Sequence, residues 1–348
     1  MTDEAMSRFR CLRHQGAYSF LKYTSTKGQL TMIPMLTPQF SALATAAILA
    51  VCGSAPAHAT PLLGTDLASF TVLGASTVTH VPTSSIVGNV GAWSSGGGNA
   101  VTGFLSVPGV ATADPQVTAG SVHAGTTTGV PNAMSAQLQL STAITNLSSL
   151  GQGTLLPVDL VGLSLLPGVY TVPAGTTNLS GALTLNGQGN ANAAWVFQMD
   201  STLITSPNSV VNLINSGAGA GVYWNVRSSA TLDTNTTFIG NILALTSITL
   251  NTNATDLCGR TLASTGAVTL DHNRLSGVCA DELASSDNLG GGLDVVTSDG
   301  GVQTTEFLPV LTLPPVGGGG TVPEPGSMAL LSLGLAGLGW RRRNQGGA

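Results

Sequence analysis

The chain has 348 residues, of which 43% are hydrophobic but only 5% aromatic and 8% charged, with 45 glycines and a formal net charge of −5. Between Thr60 and Val322 there is no lysine, and Arg227, Arg260 and Arg274 stand against thirteen acidic residues, which removes the electrostatic basis for binding nucleic acid. A composition led by Gly, Thr, Ser, Ala, Leu and Val also speaks against a helical bundle. With both ends set aside, about 260 residues remain, enough for one large domain with a substantial core.

Residues 1–31 are polar and mixed in charge, whereas a secretory signal starts with a short basic region directly before its apolar run. We expect translation to begin at Met32 or Met35; failing that, Lys22 and Lys27 serve as the basic region. Residues 32–59 then form the signal peptide. Ser41–Val51 is its apolar run and Ala57-His58-Ala59 its small-x-small site, with the cut expected after Ala59. Leu49-Ala50-Val51-Cys52 offers a weaker lipoprotein alternative, because Val51 is bulky where a small residue is expected.

The pattern predicts one long helix, over Asn132 to Leu150. Ala133, Ala136, Leu140, Ile144 and Leu147 recur at three- and four-residue steps, Pro131 stands at the start, and Gly151 stops it. Most of the rest reads as short strands separated by Gly, Asn, Asp and Ser.

Beyond the helix the chain repeats. Thr184-Leu185, Thr202-Leu203, Thr231-Leu232, Thr249-Leu250 and Thr269-Leu270 follow one another at nearly equal steps, except for the longer one from Thr202 to Thr231. That interval contains Asn215 to Gly221, read as an inserted loop, so the underlying period is about 19 residues. Gly240-Asn241-Ile242-Leu243-Ala244 and Gly259-Arg260-Thr261-Leu262-Ala263 keep the same step, and Val222-Tyr223-Trp224-Asn225-Val226 precedes them by a similar one. A fixed period of this length means a solenoid whose coils bury their apolar faces against one another. Because side chains alternate across a strand, the leucines should point inward and the threonines outward.

Two cysteines survive processing, Cys258 and Cys279. The sequence leaves open whether they pair in an oxidising compartment or stay as buried thiols. About one coil apart, they could stack within disulfide reach near the final coil, where a bridge would resist fraying of an uncovered end. Residues 286–321, closing in Pro314-Pro315 and a four-glycine run, read as a linker.

The chain closes on Val322-Pro323-Glu324-Pro325-Gly326, the apolar stretch Met328 to Trp340, and Arg341-Arg342-Arg343. The apolar run can enter a bilayer while the arginines stay on the cytoplasmic side. It is shorter than the roughly 20 residues of an ordinary span, so it reads as a transient tether. Residues 322–348 resemble the Pro-Glu-Pro, exosortase-type sorting signal of exported proteins in Gram-negative bacteria. The resemblance implies a signal peptidase and a sorting protease as processing partners, transient membrane insertion through 328–340, and a final place at the cell surface or outside the cell.

Ala68-Ser69-Phe70-Thr71-Val72-Leu73-Gly74, Val101-Thr102-Gly103-Phe104, Gly168-Val169-Tyr170, Leu183-Thr184-Leu185-Asn186-Gly187 and Tyr223-Trp224-Asn225-Val226, continuing through Gly240–Ala244 to Gly266-Ala267-Val268-Thr269-Leu270-Asp271, occur in family order. With them the body resembles the ice-binding β-solenoid domain of microbial antifreeze and ice-adhesion proteins. The resemblance implies an all-β domain over 60–285 with one long α-helix: a right-handed, three-faced, discontinuous β-solenoid with the helix packed alongside and a cap inserted. In that scheme the pieces before the helix supply an early strand and the cap, and the coils follow the helix.

Little in the body supports catalysis. His80, His123 and His272 are dispersed, and there is no His-Glu-x-x-His, no paired-cysteine metal spacing and no Gly-x-Ser-x-Gly elbow. Gly96-Gly97-Gly98 lacks the Lys-Ser/Thr of a phosphate loop. Asp159, Asp200, Asp233, Asp256 and Asp271 could line the groove of a carbohydrate-cleaving β-helix. Asp233 and Asp271 follow Thr-Leu pairs at a phase shared by Asn251 and Asn186, however, and a repeating turn role explains that better. We therefore expect no enzyme, no cofactor and no metal site.

The threonines are the candidate site. Thr231, Thr249 and Thr269 form the expected central column, with Thr184 and Thr202 extending it and Ser228, Thr246 and Thr265 as a second column. Ser228-Ser229-Ala230-Thr231 and Thr246-Ser247-Ile248-Thr249 resemble the family's Thr-small-x-Thr pattern, while Thr265-Gly266-Ala267-Val268 departs from it at Val268. The expected partner is ice, through ordered water. A second reading keeps the fold and makes the domain a non-catalytic adhesin or matrix protein that binds extracellular polysaccharide, with which such sorting tails are associated.

Overall fold

The computed structural model describes residues 58–81, 83–94, 100–279, 288–298 and 301–313. The expected translation start, the apolar signal run and the sorting tail lie outside them. The described residues are mostly β, with two helices, α1 (Thr65–Ala68) and α2 (Ala133–Ser149). The side chain of Asn132 caps α2 by accepting the Ser135 N–H at 3.0 Å. Gly151, at φ 78°, takes the left-handed conformation that ends it.

The strands stack in three ladders that the chain visits in turn. The first runs Thr154–Leu155, Gly168–Val172, Ala194–Met199, Gly221–Val226, then the second halves of Thr237–Ala244 and Thr255–Ala263. The second runs Leu203–Ile204, Ala230–Leu232, Ile248–Leu250 and Val268–Asp271. The third holds Ser164–Leu165, Ala182–Asn190, Val210–Ser216, the first residues of Thr237–Ala244 and Thr255–Ala263, and Arg274–Ser276. All these pairings are parallel.

The stack then continues with strands from before the helix. Val72 and Leu73 of Phe70–Gly74 pair with Thr261 and Leu262, Thr77–Val81 pairs with Val268–Asp271, and Ser85–Val87 pairs with Arg274–Ser276. Asn89–Ala92, Ala100–Thr102 and Val117–Thr118 add another coil. The segment before α2 therefore supplies two coils, where an early strand and the cap were expected. At the far end Ala111–Thr112 pairs antiparallel with Val122–Ala124 and covers the edge of the first ladder.

The coils are of two sizes. Asn225 pairs with Gln198, 27 residues before it, whereas Arg260 pairs with Asn241, only 19 residues before it. The wider coils lengthen the third ladder. Asn215 to Gly221 is accordingly no inserted loop: Asn215 and Ser216 complete the strand Val210–Ser216, and Gly221 opens the next. Aromatic rings fill the extra width, with Phe197 stacked on Trp224 at 4.0 Å and Trp224 at 4.9 Å from Phe238.

Two apolar clusters hold the body. Leu203, Leu232, Ile248, Leu250, Val268 and Leu270 point into the coils. On the outer side of the first ladder, Val196, Tyr223, Leu243 and Leu262 are covered by Ala136, Leu140 and Leu147 of α2. The small Ala133, Ala136 and Ala143 allow close approach. Gln137 Nε2 donates to the Ala263 carbonyl at 3.1 Å and Gln198 Nε2 to that of Leu147 at 2.7 Å, tying helix to ladder across its length.

The described part of the linker expected over 286–321, residues 288–298 and 301–313, carries strands packed on the fold instead. Leu293–Thr297 pairs antiparallel with both His58–Pro61 and Gln303–Phe307. The chain stays on the fold to Leu313, whose N–H donates to the Gly189 carbonyl at 2.7 Å. Glycines that read as a flexible spacer are there for close approach. A Cβ on Gly221 would fall 1.9 Å from the Gly291 oxygen, and one on Gly291 2.5 Å from that of Gly219. The cut expected after Ala59 also falls inside the strand His58–Pro61.

Candidate functional site

In each coil the second ladder places apolar side chains inward on either side of one outward residue. Ala230 and Leu232, Ile248 and Leu250, Val268 and Leu270 are buried, while Thr231, Thr249 and Thr269 between them are half-buried on the outer surface. Alternation along a strand accounts for this. Register aligns the three: Thr231 pairs with Thr249, and Thr249 with Thr269. Thr269 in turn pairs with Thr79, and Thr79 with Thr102. Thr79 and Thr102 are not marked by the Thr-Leu pairs of the later coils. In the N-terminal coils the inward residue is His80, or Gly103 follows instead, so the dipeptide is absent although the outward threonine is kept.

Two expected members do not belong to the column. Register sets Ile204 against Thr231, so Thr202 falls outside the strand Leu203–Ile204. Thr184 lies on the third ladder, paired with Ser164 and Asn212. Both errors come from the wider coils, where the Thr-Leu phase shifts from one ladder to another.

Ser228, Thr246 and Thr265 stand in the bends that lead from the first ladder into the second. They are stacked by backbone bonds, with the Thr246 N–H on the Ser228 carbonyl at 2.9 Å and the Thr265 N–H on that of Leu245 at 3.1 Å. The Thr265 hydroxyl donates to the Leu245 carbonyl at 2.6 Å. Ser76 follows in this row, its N–H on the Gly266 carbonyl at 3.0 Å. Between Thr265 and Thr269 one extra residue is accommodated before the strand starts at Val268, so the departure seen at Val268 leaves the threonine column in register.

The opposite margin is polar and hydrogen-bonded. Asn251 Nδ2 donates to Asp233 at 2.9 Å, and the Thr252 hydroxyl donates to Asp271. These bonds hold both carboxyls below the usual carboxylate range, with His272 helping at Asp271. Asn208, Asn235, Asn253 and His272 take left-handed backbone at the following corner, and the first three link side chain to side chain. Such a row suits Asn, whose amide both donates and accepts. Asp233, Asn251 and Asp271 thus serve the ladder's edge, whereas Asn186 belongs to the third ladder.

The remaining ladders are less regular outside. The first is covered by α2. The third shrinks from the nine-residue strand Ala182–Asn190 to two or three residues in later coils, and one outward row reads Val210, Thr237, Thr255, Arg274, Ser85.

The dispersed histidines have structural surroundings. His80 is buried against Phe104, rings 4.3 Å apart, and its Nε2 accepts the Ser84 N–H at 3.0 Å. His123 packs edge-on against Phe70. Burial pushes the pKa of both down. Among the described residues no cluster of three or more His, Cys, Asp or Glu is placed to hold a metal. Asp256 is wholly buried where the third ladder turns into the first, and neither oxygen makes a hydrogen bond of good geometry. Burial drives its pKa up to about 8, against the pull of nearby amides and Arg260. Gly259 is required beside it, since a Cβ there would meet the carboxyl at 2.4 Å.

Cys258 and Cys279 are joined in a disulfide, with Cα atoms 4.5 Å apart. The bridge does not guard a free end, because the coils from before the helix continue the stack past Arg274–Ser276. It staples the coil at the junction of the two chain segments.

The molecule is thus a β-helical protein with a helix along one side, and what it offers outward is a regular threonine ladder. Residues 72–276 match the Ice-binding-like family, more than half of the chain, and the chain belongs to that family. Residues 321–343 match the PEP-CTERM protein-sorting motif, which marks the chain for export and C-terminal processing. An ice-binding protein of Nostoc sp. (strain HG1) is 42% identical over 226 residues, covering 65% of this chain and 77% of that one. Ice-binding protein 1 of Shewanella frigidimarina is 34% identical over 121 residues, 34% of this chain and 14% of that protein. Among solved structures, an ice-binding protein from an Antarctic biological consortium aligns with TM-score 0.51 at 30% identity, over 71% of this chain and 96% of its own. That of the Antarctic ascomycete Antarctomyces psychrotrophicus aligns with TM-score 0.53 at 30% identity, over 64% and 100%.

Proposed function

We propose that this chain is an exported ice-binding protein that acts through the outer side of the second ladder. The observation that carries the proposal is the unbroken register of Thr231, Thr249, Thr269, Thr79 and Thr102. Neighbouring strands place equivalent residues about 4.7 to 4.9 Å apart, close to the repeat of exposed lattice planes of ice. Each threonine offers a methyl beside a hydroxyl. A row of them holds water in an ordered layer that merges with ice, at modest cost because those waters keep their hydrogen bonds. Ser228, Thr246 and Thr265, joined by Ser76, flank the row.

The coil is a right-handed, three-faced solenoid in this reading, since parallel strands joined by crossovers in one sheet take the right-handed connection. The second ladder is one face; α2 covers the face of the first. The protein acts as a non-enzyme with no cofactor. Signal peptidase and a sorting protease process it on the way to the cell surface or the medium. Purified His58–Gly320 should shape ice crystals and give thermal hysteresis. A folded sample that does neither overturns the reading.

A further inference from the structure

The structure assigns a second binding site to this domain: a groove between α2 and the sheet of His58–Pro61, Leu293–Thr297 and Gln303–Phe307, which takes a short stretch of neutral polysaccharide. The inference is independent of the ice-binding reading. The groove borders α2, which covers the first ladder, whereas the threonine column belongs to the second.

One face of α2, with Ala136, Leu140 and Leu147, is buried against the ladder. On the next face Ser135, Leu138, Gln139, Thr142 and Asn146 recur at three- and four-residue steps and form one wall of the groove. The sheet is the other wall: Thr60 and Val295 are paired in register there, and Pro61, Leu62 and Gln303 complete it. The Thr305 hydroxyl donates to the Asn146 carbonyl at 3.2 Å and joins the two walls. Gln139 is held in place, with its Oε1 accepting the Leu67 N–H at 2.8 Å and its Nε2 donating to Ser135 Oγ at 3.3 Å. Gly64 makes room for it, since a Cβ there would fall 2.5 Å from the Gln139 side chain.

The lining offers hydroxyls and amides and no charged side chain. Beyond the bonds above, Gln139 keeps an amide hydrogen and Ser135 its hydroxyl hydrogen for a ligand. Thr142 and Thr60 donate to the Leu138 and Val295 carbonyls at 3.1 and 3.4 Å, which leaves their oxygens free to accept. Asn146 and Gln303 add one amide from each wall. Such groups, set among the aliphatic surfaces of Pro61, Leu62 and Leu138, match a sugar ring, whose hydroxyls both donate and accept and whose C–H faces are apolar. An anion would call for Arg or Lys and a divalent cation for carboxylates, and neither lines the groove. A peptide added as a strand would need an open edge, and Pro61 interrupts the edge strand on this side. The groove holds about 240 Å³, less than the roughly 300 to 1,000 Å³ of sites that enclose a drug-sized ligand. From Ser135 to Asn146 it runs about 16 Å along the helix, so a few rings of a longer glycan lie along it and leave the threonine column uncovered.

The test applies the exported protein to an array of neutral, acidic and amino-bearing glycans, with neutral peptides alongside. Neutral glycans should bind, and their affinity should fall by about tenfold in Asn146→Leu and in Gln303→Leu, the scale of one hydrogen bond lost from a site. The two residues come from opposite walls, so one variant decides if the other fails to fold, and urea midpoints show which are folded. Binding to no neutral glycan, binding only to charged glycans or to peptides, or undiminished affinity in a folded variant overturns the proposal. The measurement contains no ice, so its failure is separate from failure of the ice-binding reading, which the hysteresis assay decides.

Discussion

Thr249 and Leu250 are adjacent yet have opposite surroundings. Thr249 faces out at the centre of the column, while Leu250 is fully buried among the coils. Thr249→Tyr should remove most thermal hysteresis while changing stability by no more than about 0.5 kcal/mol, because the half-buried side chain faces outward and the substitution leaves Ile248 and Leu250 in the core. Leu250→Ala should cost roughly 2 to 5 kcal/mol through the cavity it opens, with activity lost only by unfolding. Hysteresis and urea midpoints on both variants check this, and full activity in folded Thr249→Tyr would place the function on another face. Thr79→Tyr extends the test to the N-terminal coils: it should also weaken hysteresis without moving the midpoint.

Asp256 carries a pH dependence of known sign. Its folded pKa of about 8 lies above the ordinary 3.8, so the folded protein keeps a proton that the unfolded chain releases. Its contribution is complete below about pH 4 and is lost as pH rises toward 8, by up to about 1.4 kcal/mol per unit. His80 and His123, with lowered pKa values, act below about pH 6.5, where the unfolded chain binds protons that the folded protein resists, so stability falls with acidity there. Comparing urea midpoints at pH 7 and pH 9 isolates the carboxyl. Wild type should lose stability over that interval and Asp256→Asn should lose less. Equal losses would mean that the buried carboxyl does not titrate as stated.

At the scale of elements, the disulfide and the C-terminal strands tie together parts that are distant in the chain. Reducing Cys258–Cys279 should destabilise the protein by roughly 2 to 4 kcal/mol, a figure set by the closure of a short loop in the unfolded chain. Denaturation with and without reductant measures it. Ending the chain at residue 287 would leave a linker-less but intact domain if 286–321 were a spacer. In this fold it removes Leu293–Thr297, the partner of His58–Pro61, takes Leu293 and Val295 out of the apolar cluster under α2, and leaves the buried Tyr223 hydroxyl without the Gly290 and Gly291 carbonyls. The truncated protein should melt well below the parent, and an unchanged melting temperature would restore the linker reading. Helix α2 was legible from its apolar spacing and flanking residues. The C-terminal strands were not, because Gly290, Gly291 and Gly292 look like a spacer until the backbones they admit are seen.

For the whole molecule, local pattern determined a great deal. The Thr-Leu step through Thr231, Thr249 and Thr269, the leucine-inward alternation, the helix at 133–149 and the sorting motif at 321–343 all depend on neighbours in sequence or on a fixed step, which a linear reading can detect. Tertiary structure alone decided which coil stacks on which. Nothing periodic connects Thr269 to Thr79, which lies on the far side of α2 in the chain, and only the parallel pairing of Val268–Asp271 with Thr77–Val81 makes them neighbours. The same stacking removed Thr184 and Thr202 from the column, since a wider coil moves an unchanged dipeptide to a different side of the solenoid. The repeat is a property of the chain; the aligned row of threonines is a property of how separate lengths of chain share one core.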